Sequence, residues 1–231
     1  MSDSVEQRRA RLAAAAQALG LAPSEGQLAA LLGYLDLLQR WNAVYNLTAV
    51  RDPEQMLTQH LVDCLAVLPA LQRHADSRQD GRALRILDVG SGGGLPGVVL
   101  AVLEPRWKVT CVDTVGKKAA FIRQAGAELG LRNLQAEHAR VEALRAERFD
   151  LITSRAFASL GDFVRLTRQL LAPGGVWVAM KGRQPQEEVA ALPADIDVFH
   201  VEPFSVPGLN AERCLIWMRE SVPGAPGLVH S

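Results

Sequence analysis

Asp88, Gly90, Gly92 and Gly94 stand at every second position of the stretch "LDVGSGGGLPG", and Asp113 follows 25 positions after Asp88. Glycines at that spacing, between an apolar run and a helix start, let backbone N–H groups approach a ligand where a Cβ would block the way. Two cofactor classes use such a loop. Counted from Gly92 the stretch satisfies G-x-G-x-x-G, the dinucleotide pattern; counted from Asp88 it is D-x-G-x-G-x-G, the pattern expected for S-adenosylmethionine. The first acid separates them. A carboxylate two positions before the first glycine repels a pyrophosphate at short range, whereas S-adenosylmethionine carries no phosphate and has a cationic ammonium and sulfonium. Asp113, at the end of the next expected strand, can accept hydrogen bonds from both ribose hydroxyls, a device that NAD-binding folds share. No GK[ST] follows a P-loop glycine pattern, so a kinase or ATPase reading fails.

These residues need a strand–loop–helix frame, and the chain supplies one. "LRILDVG" and "WKVTCVD" read as short buried strands, "LQAEHA" as a weak one, and "FDLITSRAF" and "VWVAMK" as two more. Helices are expected between them over 95–103, 117–129 and 160–171. "IDVFHVE" and "RCLIWMRE" are expected to pair as an antiparallel edge. Alternating strands and helices predict an α/β fold with a mostly parallel, doubly wound sheet. The first 72 residues read as a helical extension: Ser24 and Gln27 form a capping box ahead of a leucine stripe, "WNAVYNLTAV" interrupts it, and Asp52-Pro53 restarts a helix that runs to Pro69. The polar stretch 73–83 is expected to link this extension to the main domain, 84–222, with 223–231 as a flexible tail.

At 231 residues and 48% hydrophobic composition the chain can bury one sizeable core. The N-terminus resembles no signal peptide, and no apolar run approaches a membrane span. Cys64, Cys111 and Cys214 lie far apart without a C-x-x-C pair, which predicts reduced thiols in a cytoplasmic protein and no metal site. Net charge is zero, yet residues 115–183 hold 12 lysines and arginines against 6 acids. That excess can face a phosphate backbone or simply be solvated. Lys117 and Lys118 at a helix start, Arg123 on the same helix, and Lys181 and Arg183 at a strand end are the candidates for RNA contact.

The strand that ends in "SRAFASL" lacks the Asn/Asp-Pro-Pro-aromatic run of amino-group methyltransferases and has no cysteine for attack on pyrimidine carbon. An acceptor needing little activation fits best, such as N7 of guanine, whose lone pair can attack the methyl group directly. "NLTAV", "QHLVDCL", "LDVGSGGGLPG", "VDTVGKKAAFIRQ", "SRAFASL" and "MKG" occur in the order and spacing of the bacterial 16S rRNA (guanine-N7)-methyltransferase G family, also called glucose-inhibited division protein B. The resemblance covers roughly residues 41–183. It implies a class I S-adenosylmethionine-dependent methyltransferase fold, Rossmann-like, acting on a guanine of a 16S rRNA loop near the decoding centre. It places cofactor contacts on Gly90, Leu95, Val141, Glu142 and Arg155, with Arg155 open to three readings: an ion pair with a nearby acid, the methionyl carboxylate, or an RNA phosphate. The implied partner is 16S rRNA or the small ribosomal subunit, met by a monomer. A small-molecule methyltransferase and a ribosome-docking protein without turnover are the rival expectations. Within the same motifs, His60 on its leucine-rich helix reads as a half-buried histidine rather than a base.

Overall fold

A computed structural model describes residues 5–221 apart from 79, 80, 156, 158, 183 and 184. Arg183 and the expected tail therefore lie outside the described residues. Seven strands form one sheet: β1 (Arg85–Val89), β2 (Lys108–Asp113), β3 (Leu134–His138), β4 (Phe149–Ser154), β5 (Leu171–Lys181), β6 (Ile196–Val206) and β7 (Leu209–Glu220), in the order β3-β2-β1-β4-β5-β7-β6. The first five are parallel, β7 runs antiparallel to β5, and β6 antiparallel to β7. After β3 the chain crosses back to place β4 on the other side of β1, so the order reverses between β1 and β4. In open α/β sheets ligands bind in the crevice at the carboxyl ends of such strands. The expected mostly parallel sheet with an antiparallel edge is thus observed.

Both faces of the sheet are covered. Ile86, Val109, Cys111, Leu151 and Val178 point to one core and Leu87, Val112, Ile152, Trp177 and Ala179 to the other, the two-residue alternation of a doubly buried sheet. The first core also takes in Leu12 of α1 (Val5–Ala18) and Leu31 and Leu38 of α2 (Glu25–Tyr45), together with Val98 of α6 (Gly97–Leu103) and Phe121 of α7 (Gly116–Glu128). The N-terminal helices therefore pack into the same core as the sheet. Ser24 and Gln27 close the expected capping box. The Gln27 side chain further donates to the carbonyls of Val102 and Leu103 at the end of α6 (both 3.1 Å).

Two helix boundaries differ from expectation. Helix α2 continues through "WNAVY", because Trp41 packs edge-on against Phe121 at 5.5 Å and keeps that stretch on the core. Further on, α3 (Pro53–Met56) passes through a π-helical segment, Leu57–Val62, and α4 (Asp63–Leu65) into α5 (Leu68–Ser77). Pro69 sits in the first turn of α5 rather than ending a helix, so helix extends to Ser77 where a link was expected. Between β3 and β4 a 3₁₀ turn covers Val141–Ala143. After β4 come α8 (Leu160–Thr167) and, after β5, α9 (Gln186–Ala190). Among the described residues no helix is long and apolar enough to cross a membrane.

Candidate functional site

The glycine loop leaves β1 and enters α6 with Gly90, Gly92 and Gly94 all at positive φ (66°, 59° and 90°), a region where a side chain is strained. A Cβ on Gly94 would lie 2.6 Å from Val98, and one on Gly97 2.3 Å from the Cys111 sulfur, so these two glycines are needed for packing. Around Gly90 and Gly92 an added Cβ would meet nothing within 4 Å: the space beside them is open on the ligand side. Tyr34 of α2 donates its hydroxyl to the Gly93 carbonyl (2.7 Å), which ties the loop to the N-terminal helices.

Asp113 closes the loop from β2. One carboxylate oxygen accepts the Gly92 N–H (2.9 Å) and the other the Val115 N–H (2.8 Å). Each oxygen keeps a further lone pair for a ligand hydroxyl. Gly90, Asp113, Val115, Val141, Glu142 and Phe157 line one cavity of about 360 Å³ at the carboxyl edge of the sheet. Four of the nine expected cofactor contacts, on three separate chain segments, meet there. Open glycines, a strand-end acid and an apolar wall at Val141 and Phe157 fit a nucleoside whose ribose hydroxyls reach Asp113 and whose base lies along the wall.

The other five expected contacts hold different places. Gly92, Gly94 and Leu95 shape the loop, with Leu95 buried and its N–H donated to the Ser91 carbonyl (3.0 Å). Asp88, expected beside the cofactor, is fully buried beneath the glycine loop. Its carboxylate accepts the Gly97 N–H at 2.9 Å and lies 3.9 Å from the Cys111 thiol, while its other oxygen has no hydrogen-bond partner. Burial pushes Asp88 up to about 7, against the pull of the Gly97 N–H and of Arg155. Arg155, at the end of β4, is held from the helical side: its guanidinium donates to the Gln59 carbonyl (3.2 Å) and to Asp63 (3.3 Å). The second Asp63 oxygen accepts from Arg213 of β7 (2.8 Å). The ion-pair reading of Arg155 is therefore realised, and it fixes the guanidinium without consuming all five donors.

Asp63 and Tyr34 were not singled out from the sequence. Asp63 lies inside the quoted "QHLVDCL", but its partner Arg155 is 92 residues away. His60 is buried, with Nε2 paired to the Thr48 hydroxyl at 2.9 Å. Burial pulls it down to about 4, with Arg155 adding to the effect. It sits in the π-helical turn, a local irregularity that recurs at functional sites.

Of the expected RNA contacts, three are engaged within the protein. Lys118 lines the cofactor cavity and lies 3.9 Å from Asp113. Lys181 is taken by both oxygens of Glu188 (2.9 and 3.1 Å). Arg123 donates to the Ala136 carbonyl in the middle of β3, short of the strand end (2.9 Å). Lys117 and Arg123 are both exposed and make no ion pair among the described residues.

The model for the family described as rRNA small subunit methyltransferase G matches residues 27–216. The chain belongs to that family. Ribosomal RNA small subunit methyltransferase G of Leptothrix cholodnii is 65% identical over 91% of this chain and 95% of that protein. The protein of the same name from Acidovorax ebreus is 61% identical over 88% and 92%. Among solved structures, TrmN from Thermus thermophilus aligns with a TM-score of 0.54 at 22% identity, covering 71% of this chain and 53% of that one. The glycopeptide N-methyltransferase MtfA in complex with S-adenosylmethionine aligns at 0.50 and 14% identity, over 64% and 92%. Those identities speak for the fold alone, that of the class I S-adenosylmethionine-dependent methyltransferases. As a member of the rRNA small subunit methyltransferase G family the chain is a methyltransferase with S-adenosylmethionine as its methyl donor, and the cavity at Asp113 fits that donor's nucleoside.

Proposed function

We propose that this protein methylates N7 of a guanine in a loop of 16S rRNA near the decoding centre, acting as a cytoplasmic monomer. Family membership supports rRNA of the small subunit as the substrate. The choice of a ring nitrogen rests on what the carboxyl edge lacks. Among the described residues, the cysteines are buried, with the Cys64 thiol pushed up to about 12 by burial. His60 is buried and tied to Thr48, and Lys181 is paired. Neither the cysteines nor His60 nor Lys181 stands ready to remove a proton, and the N7 lone pair needs none removed.

Bound at the strand ends, S-adenosylmethionine supplies an electrophilic methyl group on a cationic sulfur. The protein's part is alignment. Asp113 would hold the ribose, Val141 and Phe157 would flank the base, and Arg155, fixed by Asp63, would be the cation for the methionyl carboxylate. Tyr34 keeps the glycine loop in place through Gly93. Orienting two reactants is worth several kcal/mol of barrier and requires no acid or base.

The deciding experiment is transfer of labelled methyl to small ribosomal subunits, and to deproteinised 16S rRNA, from cells lacking the enzyme, with the modified base located by mass spectrometry. Label on N7 of one loop guanine is the expected result; label on an exocyclic amine, a ribose or a small molecule instead would overturn it. A second expectation concerns pH. At saturating cofactor the single-turnover methyl-transfer rate should stay flat between about pH 6 and 9, since His60 remains neutral throughout. A rise through a pKa near ~6.5 would reveal a base and refute the alignment mechanism.

A further inference from the structure

The opposite edge of the sheet carries charge that the methyl-transfer site does not use. At the amino ends of four neighbouring strands lie Arg85 opening β1, Arg106 and Lys108 at the start of β2, Arg132 before β3 and Arg145 before β4. All five line one cavity of about 610 Å³. Arg85 is engaged with Asp150 and Glu147. Arg106, Lys108, Arg132 and Arg145 are exposed and make no ion pair among the described residues. Glu137 is the one acid of the cavity that pairs with none of them, so the edge keeps a net positive charge.

The edge is also rigidly built. The Asn133 amide donates to the carbonyls of Ala101 (3.0 Å), Glu104 (3.3 Å) and Trp107 (3.1 Å), binding the loop that carries Arg106 and Lys108 to the one that carries Arg132. With its donors spent in this way, Asn133 is not free to read a base edge, and positive charge dominates the rest of the lining. A partner recognised by charge without base readout is a phosphate backbone.

We infer that the amino edge is a second RNA-binding surface, contacting phosphates remote from the methylated base. The inference rests on the rRNA reading above. β2 spans six residues from Lys108 to Asp113, so the two edges are roughly 17 Å apart at about 3.3 Å per residue. A short isolated loop bound at the cofactor edge does not reach the far one. Folded small-subunit rRNA, with several helices around the target loop, does. The enzyme would then distinguish a loop in its folded context from the same loop alone.

The test combines Arg106→Ala, Lys108→Ala, Arg132→Ala and Arg145→Ala. Binding to deproteinised small-subunit rRNA and to assembled small subunits is measured by filter retention from 50 to 200 mM KCl, alongside affinity for S-adenosylmethionine and for a short hairpin carrying the target loop. Removing four phosphate contacts should weaken rRNA binding at least ~10-fold at the low-salt end and reduce the slope of log K against log salt by roughly 3. Cofactor and hairpin affinities should not change. A second variant, Arg106→Glu with Lys108→Glu, keeps the test decisive if the fourfold change disturbs folding, and retained cofactor affinity verifies the fold. Unchanged rRNA affinity and salt slope would overturn the inference. So would weakened binding to assembled subunits alone, which would assign the surface to an acidic protein. Failure of the unaltered enzyme to bind either RNA form would instead refute the rRNA reading itself.

Discussion

Asp113→Ala is expected to weaken S-adenosylmethionine binding by at least ~100-fold, with the chain still folded. The carboxylate does two things at once. It accepts the Gly92 and Val115 N–H groups, which hold the glycine loop and the start of α7 in register with β2, and it faces the cavity with its remaining lone pairs. Hydrogen bonds to a charged group are worth about 1.5–3 kcal/mol each, so losing the ribose contacts alone amounts to roughly 3 kcal/mol or more. The released Val115 N–H borders the cavity and can take water, which limits the damage to folding. Asp113→Asn should fall between the two, since its amide oxygen serves one donor while its NH₂ confronts the other. Isothermal titration of the three proteins with S-adenosylmethionine provides the measurement. An alanine variant binding within threefold of the parent would place the ribose elsewhere.

What could be read from the sequence divides along a physical line. The glycine loop and Asp113 were legible because their roles are local. A positive φ at Gly90 and a strand-end acid follow from strand, turn and helix in immediate succession, and Val141 and Glu142 were added by the family motif. Depth was not legible. Asp88 looks the same in the sequence whether it faces the ligand or lies under the loop, and only the packing of Gly97 and Cys111 around it shows the latter. Pairing across the chain was equally hidden. Lys181 reads as a free cation until α9 brings Glu188 to it, and the hold of Asp63 on both Arg155 and Arg213 needs three distant segments to meet. Helix α2 ran on past the broken leucine stripe because Trp41 found Phe121, a partner that no one-dimensional period displays.

The burial of Asp88 carries the second large prediction, a coupling between pH, stability and cofactor. In the unfolded chain this carboxyl titrates near ~3.9; in the fold, burial raises it to about 7. Between those values the folded protein holds a proton that the unfolded chain has released, so stability falls as pH rises from ~4 to about 7 and is level above. Asp88→Asn has no such proton to lose, and its amide oxygen can still accept the Gly97 N–H. The variant should therefore melt about 5 °C above the parent at pH 8, corresponding to roughly 2 kcal/mol for a chain of this size, with the gap closing toward pH 5. The ionised carboxylate has one oxygen without a partner, and a bound cation nearby supplies the missing charge. Cofactor affinity should accordingly rise about tenfold from pH 6 to pH 8 in the parent, as proton release through a pKa of about 7 dictates. In Asp88→Asn it should be weaker and independent of pH. A parent whose melting temperature and cofactor affinity are both flat across that window would mean that Asp88 is already ionised in the free protein, and that the buried carboxylate finds its compensating charge without the ligand.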